Sequence, residues 1–443
     1  MRKMKNILFS IFLVSFFIFI SLSFYSKAQA KRVLSLKEAV SIAISQNPEV
    51  SAAIRERESL FFKKNIVRAE FFPKLYLSYN YNYQKKEERG KNIPILDRIL
   101  DRHQYRHQFG LTLTWNVFSG FSTWYAYQEA LRLVEVSDAL VKAKIQDIAL
   151  RVVSAYLDYL KTKSLYEASL NDVEDAKVLL KLAQKRYEVG LSPLADVLNA
   201  EAKLKESEAN SIKYKYTAEI AKTNLLTLLN LSVLEAKDTE LLDFPEELLT
   251  DPDFESLLSL AKKKRPELLA KEKEILAQEN RIKSVKGEYF PTIDLFTSLY
   301  RVDKSFFPER DSEFTFGIKI NLPLFTGFST PAKVSAERAT LEKKNFEKRA
   351  LELSIEQEVF SAYQTYLTKK EYYFASLAWL KKMEEDYRMV KKRYENGLAS
   401  IVDLTTVLAR LSQARSQVAT SRYDWYKSYF VLKRSAGFIP GLE

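Results

Sequence analysis

Four segments of the chain alternate apolar and polar side chains with a period of two. In Leu75–Tyr83 the odd positions are Leu, Leu, Tyr, Tyr and Tyr, set against Ser78, Asn80 and Asn82. From Tyr105 to Val117 the odd positions read Tyr, His, Phe, Leu, Leu, Trp and Val, and the even ones from Arg106 to Asn116 read Arg, Gln, Gly, Thr, Thr and Asn. A third segment, Ile293–Tyr300, alternates less cleanly. The fourth sets Phe314, Phe316, Ile318, Ile320, Leu322 and Leu324 against Thr315, Gly317, Lys319 and Asn321. This period predicts strands with one buried face, over about 73–83, 105–118, 291–302 and 314–325. Segments of about ten residues with one apolar face and aromatic ends fit the wall of a transmembrane barrel whose polar face meets water. A soluble half-buried sheet is the alternative. Four strands are too few to close, since small barrels need about eight, and an open sheet in lipid leaves its edges unsatisfied. The barrel reading therefore requires an oligomer, and three copies would supply twelve strands.

The pattern between these segments has the period of a helix. Neither glycine nor proline occurs between Gly120 and Gly190, nor between Pro331 and Gly397. Each stretch is long enough for about 100 Å of continuous helix. Shorter breaker-free legs run from Pro193 to Leu231 and from Ser400 to Ser435. Along them Val197, Ala200, Leu204, Ser207, Ser211, Tyr214, Ala218, Ala221, Leu225 and Leu228 recur in steps of three and four, as do Leu404, Val407, Leu411, Ala414, Val418, Ser421 and Trp425. This is a coiled-packing seam. Its Ala and Ser content allows close backbone approach but buries little area per residue, which predicts several helices packed side by side. Gly190 and Gly397 fall where each long helix must reverse, the position that accepts a left-handed backbone.

Strands and helices occur twice. Arg186-Tyr187-Glu188-Val189-Gly190-Leu191 returns as Arg393-Tyr394-Glu395-Asn396-Gly397-Leu398, an offset of 393 − 186 = 207. Phe118-Ser119-Gly120-Phe121-Ser122-Thr123 matches Phe325-Thr326-Gly327-Phe328-Ser329-Thr330 at the same offset. Further upstream Phe72-Pro73 pairs with Phe290-Pro291 and Pro48-Glu49 with Pro266-Glu267, an offset of 218. One insertion of 218 − 207 = 11 residues therefore lies between Pro73 and Phe109. Duplication with one insertion marks two equivalent structural units.

Composition changes this picture in three places. The start, with Arg2, Lys3 and Lys5, the apolar run Ile7–Phe24 and then Ala28-Gln29-Ala30, reads as a secretory signal peptide over residues 1–30. An uncleaved anchor is the alternative. No cysteine is present, which excludes disulfides and lipid on cysteine. Removing the signal takes four basic residues and lowers the formal charge from +12 to +8, and charges of both signs interleave along the helices. That is a solvated helix face rather than a nucleic-acid stripe, so no nucleic-acid partner is expected. His103 and His107, the only histidines, lie in a loop and strand start and do not make a metal site. With no nucleophile–base constellation and no phosphate-cradling glycine loop, neither an enzyme nor a cofactor is expected.

Taken together, the leader, the duplicated halves, the strand pairs, the long helices and the repeated RYExGL turns resemble the TolC family of outer-membrane efflux proteins. The most specific markers are Tyr187-Glu188-Val189-Gly190-Leu191 with Asp196-Val197-Leu198-Asn199-Ala200, and Tyr394-Glu395-Asn396-Gly397-Leu398 with Ile401-Val402-Asp403-Leu404. The resemblance covers essentially the whole mature chain. It implies an α+β membrane protein that forms a homotrimer, with a 12-stranded outer-membrane β-barrel continued by a periplasmic α-helical barrel. It implies a passive exit duct for a tripartite efflux or type I secretion system, docked to a periplasmic adaptor and an inner-membrane transporter of RND, ABC or MFS type. Gate residues follow from the same source. Tyr394 and Asp196 join the inner and outer helix pairs, Asp403 rings the aperture, and Thr406 stands where a second acid is usual. Ala399 replaces a companion arginine, so one closing link is missing. Gly190, Leu191, Gly397 and Leu398 are the expected adaptor contacts. A periplasmic coiled-coil scaffold with a soluble β cap is the competing reading.

The expected organisation is a signal peptide at 1–30, a first repeat at 31–238, an equatorial linker at 239–252 and a second repeat at 253–443. The long helices are expected at about 123–189, 193–231, 331–396 and 400–435.

Overall fold

In chain order the elements are β1 (Arg32–Leu34), α1 (Leu36–Gln46), α2 (Pro48–Ala69), β2 (Lys74–Lys85), β3 (His103–Ser119), α3 (Ser122–Glu188), α4 (Leu194–Leu228), β4 (Thr239–Leu241), α5 (Phe254–Lys264), α6 (Pro266–Lys286), a single 3-10 turn at Gly287–Tyr289, β5 (Thr292–Asp303), β6 (Asp311–Asn321), α7 (Ser329–Glu395) and α8 (Ile401–Ser435). The structure, a computed structural model, describes residues 32–85, 103–232, 234, 239–245, 253–303, 306–307 and 311–442. The leader at 1–30, most of the inserted loop and residues 246–252 of the expected linker lie outside them. None of the described helices is long and apolar enough to cross a membrane.

The duplication is visible in the element lengths. Helices α3 and α7 have 67 residues each and α4 and α8 have 35 each, with every boundary offset by 207. Helices α1, α2 and strand β2 begin 218 residues before α5, α6 and β5. The sequence reading did not anticipate α1, α2, α5 and α6, although their end signals are present. Ser35 and Glu38 form a reciprocal capping box at the start of α1, and Pro48 and Pro266 open α2 and α6.

Two compact units divide the chain, and each draws on both halves of the duplication. One takes Met1–Val50, Ile145–Leu257 and Val359–Glu443, and the other Ser51–Lys144 and Leu258–Glu358. In the first, β1 and β4 pair in parallel, with the Tyr156 hydroxyl 3.0 Å from the Leu34 carbonyl and 2.6 Å from that of Leu242. Of the heptad seams, Ala200, Ser207, Ser211, Ala218 and Leu225 on α4 and Leu404, Leu411, Ala414, Ser421 and Trp425 on α8 are buried, while Val197, Leu204, Tyr214, Ala221, Leu228, Val407 and Val418 are half-buried. Ion pairs fix α8 against α3. Arg415 reaches Asp172 and Asp175 at 2.8 Å each, and Arg434 meets Asp147 at 2.6 Å.

The second unit holds a four-stranded antiparallel sheet in the order β2-β3-β5-β6, so one hairpin from each half meets along β3 and β5. The register aligns Leu77, Leu111, Leu299 and Phe314 on one face, next to Leu75, Leu113, Thr297 and Phe316. On the other face Ser78, Gly110, Tyr300 and Glu313 align, next to Tyr76, Thr112, Ser298 and Thr315. This explains the uneven alternation of β5. Phe296 and Tyr300 stand on the polar face because each lies over a glycine, Phe296 over Gly317 and Tyr300 over Gly110, where a Cβ would come within 2.5 Å of the ring. Near the loop end of the sheet Tyr79, Tyr81, His107 and Phe306 cluster on the apolar side, with Tyr81 and His107 ring centroids 4.9 Å apart. Both histidines lie within β3, and the Tyr79 hydroxyl is 2.5 Å from His107 Nδ1.

The fourth strand is shorter than its alternation suggested. It ends at Asn321 rather than near 325 because Pro323 lacks the N–H that would continue the ladder. Each half then turns from strand to helix through two left-handed residues, Gly120-Phe121 (φ +62 and +64) and Gly327-Phe328 (φ +61 and +64). The two glycines differ in surroundings. A Cβ on Gly120 would lie 2.3 Å from the Gly287 carbonyl oxygen, whereas one on Gly327 would meet nothing within 4 Å. Gly327→Ala should therefore cost only the left-handed penalty of about 1–2 kcal/mol, and Gly120→Ala about 2–5 kcal/mol because backbone must also shift. Thermal unfolding of the two variants compares them directly. Equal losses would mean that the Gly120–Gly287 approach carries no stability.

Candidate functional site

The two RYExGL turns close the long hairpins with the same hydrogen bonds. The Leu191 amide donates to the Arg186 carbonyl at 2.8 Å and Gly190 to Tyr187 at 2.9 Å; Leu398 donates to Arg393 at 2.7 Å and Gly397 to Tyr394 at 3.0 Å. These are paired Schellman caps, and they require the left-handed φ of +75 at Gly190 and +76 at Gly397. Leu191 and Leu398 are left standing in solvent, 66% and 68% exposed, beside exposed Val189, Leu194, Leu198 and Val402.

Under the tips the two hairpins share one core. Leu179 and Ala183 of α3, Ala200 of α4, Tyr394 of α7 and Ile401, Leu404 and Leu408 of α8 are buried together, with Val197, Tyr387 and Ala399 packed against them. Here the duplication loses its symmetry: Tyr394 is 1% exposed and its repeat counterpart Tyr187 is 46% exposed. The Tyr394 hydroxyl has no hydrogen-bond partner among the described residues. The bond to Asp196 implied by the resemblance is thus not made here. Asp196 is half-buried and acts on Tyr394 through space: burial first, then the Asp196 charge, raises the phenol above its ordinary range, while Arg186 opposes the shift.

Arg186 makes the tie that the sequence reading missed. Its guanidinium lies 4.9 Å from the Tyr394 ring centroid, donates through Nη1 to the carbonyls of Tyr394 at 2.7 Å and Glu395 at 3.3 Å, and reaches the Leu191 carbonyl through Nη2 at 3.4 Å. One side chain therefore caps the end of α7 from α3 and fastens hairpin to hairpin. The counterpart Arg393 donates to its own Leu398 carbonyl at 3.3 Å. The only sequence signal was the repeated arginine itself, which could not say which copy crosses.

Asp403 and Thr406 are exposed on α8. The Asp403 carboxylate accepts from the Ser400 amide at 3.0 Å and its hydroxyl at 2.8 Å, and the Asp403 amide donates back to Ser400 Oγ at 3.1 Å. This capping box starts α8 immediately after the tip turn. The Ser400 amide, and then its hydroxyl, hold the carboxyl below its ordinary range. A carboxyl whose pKa is lowered by folding contributes stability above its unfolded pKa and loses it as pH falls through the folded value. The α8 start should therefore loosen on acidification below the usual carboxylate range, and Asp403→Asn should remove that part of the acid dependence. Amide exchange at Ile401–Leu404 across a pH series checks this; an unchanged profile in the variant would remove Asp403 from the cap.

A sheet with one apolar and one polar face, joined in one chain to two equivalent long helical hairpins, defines an outer-membrane channel subunit. The chain belongs to the family described as Outer membrane efflux protein, whose model matches residues 39–231 and 257–437. Similar proteins include the alkaline protease secretion protein AprF of Pseudomonas aeruginosa, 20% identical over 92% of this chain and 85% of that one. The outer membrane protein TolC of Vibrio cholerae is 22% identical over 95% of both. Among solved structures, the CmeC outer membrane channel of Campylobacter jejuni superposes with a TM-score of 0.79 at 16% identity, covering 92% of this chain and 86% of that one.

Proposed function

We propose that this chain is the exit duct of a tripartite efflux or type I secretion system, a passive conduit in the outer membrane. The carrying observation is the four-stranded sheet. Its faces are segregated into an apolar and a polar side, and its edge strands β2 and β6 have no partner strand among the described residues. In lipid such edges must be paired, and three copies of this sheet close a barrel of twelve strands. AprF, an alkaline protease secretion protein, and TolC, an outer membrane protein, support the export role.

The long helices support the same assembly independently. Phe346, Leu353, Phe360, Leu367 and Phe374 follow one another at intervals of seven along α7 and are 36–75% exposed. The repeat counterparts on α3 of the first four, Ala139, Gln146, Val153 and Leu160, are buried within the chain, whereas that of Phe374 is the exposed Glu167. Within one copy α8 lies against α3; the duplication equates α8 with α4 and α3 with α7. From Phe360 onward the cover for α7 is therefore α4 of a second copy, which presents an exposed apolar row of Ile212, Tyr216 and Ile220. Ala139, the counterpart of Phe346, packs with Ala270 of α6, so Phe346 is covered by α2 of that copy, the repeat of α6. Trimer closure repeats between chains the contact that the duplication makes inside one.

In this reading Gly190, Leu191, Gly397 and Leu398 meet a periplasmic adaptor, and an inner-membrane transporter of RND, ABC or MFS type drives transport. Asp403 and Thr406 face the aperture, where one ring of three acids per trimer gives weak cation selectivity. Arg186, Tyr394 and Asp196 hold the resting arrangement of the tips. The domain boundaries expected above, with two repeats and a linker at 239–252, complete the proposal. Reconstitution into planar bilayers tests it. The purified protein should require detergent for solubility and give discrete conductance steps; a fully soluble protein without conductance would refute the duct and favour the periplasmic scaffold.

A further inference from the structure

The duplication leaves one charge unbalanced near the tips. Arg410 lies seven residues after Asp403 and four after Thr406, so the three share a face of α8, and all three are exposed. The opposite face of this segment, with Leu404, Leu408 and Leu411, is buried. Among the described residues Arg410 forms no hydrogen bond and no ion pair. Subtracting 207 places Lys203 at the equivalent site of α4, on the same helical turn pattern that begins with Asp196. Lys203 is neutralised by Glu206 one turn further on, with Nζ and Oε2 2.8 Å apart. The counterpart of Glu206 on α8 is Gln413, which carries no charge. The two halves share the acid and the base, and only the second half has lost the group that would neutralise the base.

We infer that Arg410 forms a cationic ring inside the aperture, one that receives the anionic groups, carboxylate or phosphate, of solutes passing it. The inference rests on the reading above that the Asp403 face of α8 lines the aperture. Seven residues of helix separate the Asp403 and Arg410 rings by about 10 Å, comparable to the screening length of about 10 Å at 0.1 M salt. A permeating ion therefore meets the two rings in succession rather than as one neutral zone. The acid ring alone would favour cations; Arg410 opposes this two helical turns further in and gives carboxylate- or phosphate-bearing solutes a counter-charge just past the acid ring. Its five-donor fork suits these planar or tetrahedral anions and keeps its charge at any physiological pH.

The experiment is reversal potential in planar bilayers under a potassium chloride gradient, on the full-length trimer. Arg410→Gln is expected to raise the cation-to-anion permeability ratio severalfold, and Arg410→Glu to raise it further. Asp403→Asn is expected to move the ratio the opposite way. Citrate added to the wild-type channel should reduce the current, and Arg410→Gln should abolish that block. A shift with Asp403→Asn but none with either Arg410 variant would overturn the cationic ring while the aperture reading stands. No shift with any of the three, in channels that still conduct, would overturn the aperture reading and the ring with it. Because Arg410 is exposed and makes no hydrogen bond or ion pair among the described residues, Arg410→Gln should fold and assemble normally. Arg410→Lys, which keeps the charge, should retain the wild-type ratio; a shift in that variant would mean that the site acts through packing and would also overturn the ring.

Discussion

Phe346→Asp is expected to leave each chain folded but to abolish the trimer. Phe346 is 75% exposed in the single chain, so its replacement removes little internal packing. In the proposed trimer it belongs to the five-residue row on α7, spaced by seven, that its own chain leaves largely uncovered. Burying a phenylalanine side chain is worth about 1.5–3 kcal/mol, and a buried unpaired carboxylate costs more than that gain. The loss occurs at three equivalent interfaces. Far-ultraviolet circular dichroism should be unchanged, while light scattering in detergent should report monomers. Phe360→Asp should act in the same direction, with some additional loss within the chain because its ring also meets Phe254 at 5.9 Å. A variant that remained trimeric would show that the α7 row faces something other than a second copy.

A charge pair refines the test. The Arg415–Asp175 contact of α8 with α3 becomes Glu208 and Lys382 when carried through the repeat, with the signs exchanged. Glu208→Lys and Lys382→Glu should each weaken assembly modestly, and the double exchange should restore it.

The second large effect concerns the tip core. Tyr394→Phe is expected to change neither conductance nor stability appreciably, because the hydroxyl it removes is buried without a partner. Arg186→Ala is expected to raise resting conductance. It removes donors to the Tyr394 and Glu395 carbonyls and uncovers the Tyr394 ring. Hydrogen bonds from a charged group are worth about 1.5–3 kcal/mol each, enough to change the open fraction of a two-state gate by more than tenfold. Tyr394→Ala should have the largest effect, about 3–5 kcal/mol of core stability, because it empties the centre of the shared cluster. Single-channel recording and unfolding curves separate these outcomes. If Tyr394→Phe opened the channel and Arg186→Ala did not, the hydroxyl would be the tie and the guanidinium a bystander.

Much of this protein was fixed by its local sequence. Strand alternation, the absence of glycine and proline over long stretches, the seam residues and the two glycine turns each depend on periodicity or backbone permission, which a chain carries without reference to its partners. The repeat offset relates the helix boundaries of the two halves for the same reason. Phe296 and Tyr300 were opaque because their place on the polar face depends on Gly317 and Gly110, on neighbouring strands. The short helices were passed over since 11 to 22 residues of mixed pattern, between end signals, do not stand out against two 67-residue neighbours. Tertiary structure alone decided the asymmetry of the two halves. Arg186 and Arg393, and Tyr187 and Tyr394, are equivalent in sequence, and each pair has diverged in hydrogen bonding or burial. Packing brings together residues some two hundred positions apart, and the environment so created is a property of the contact, which no periodicity along the chain encodes.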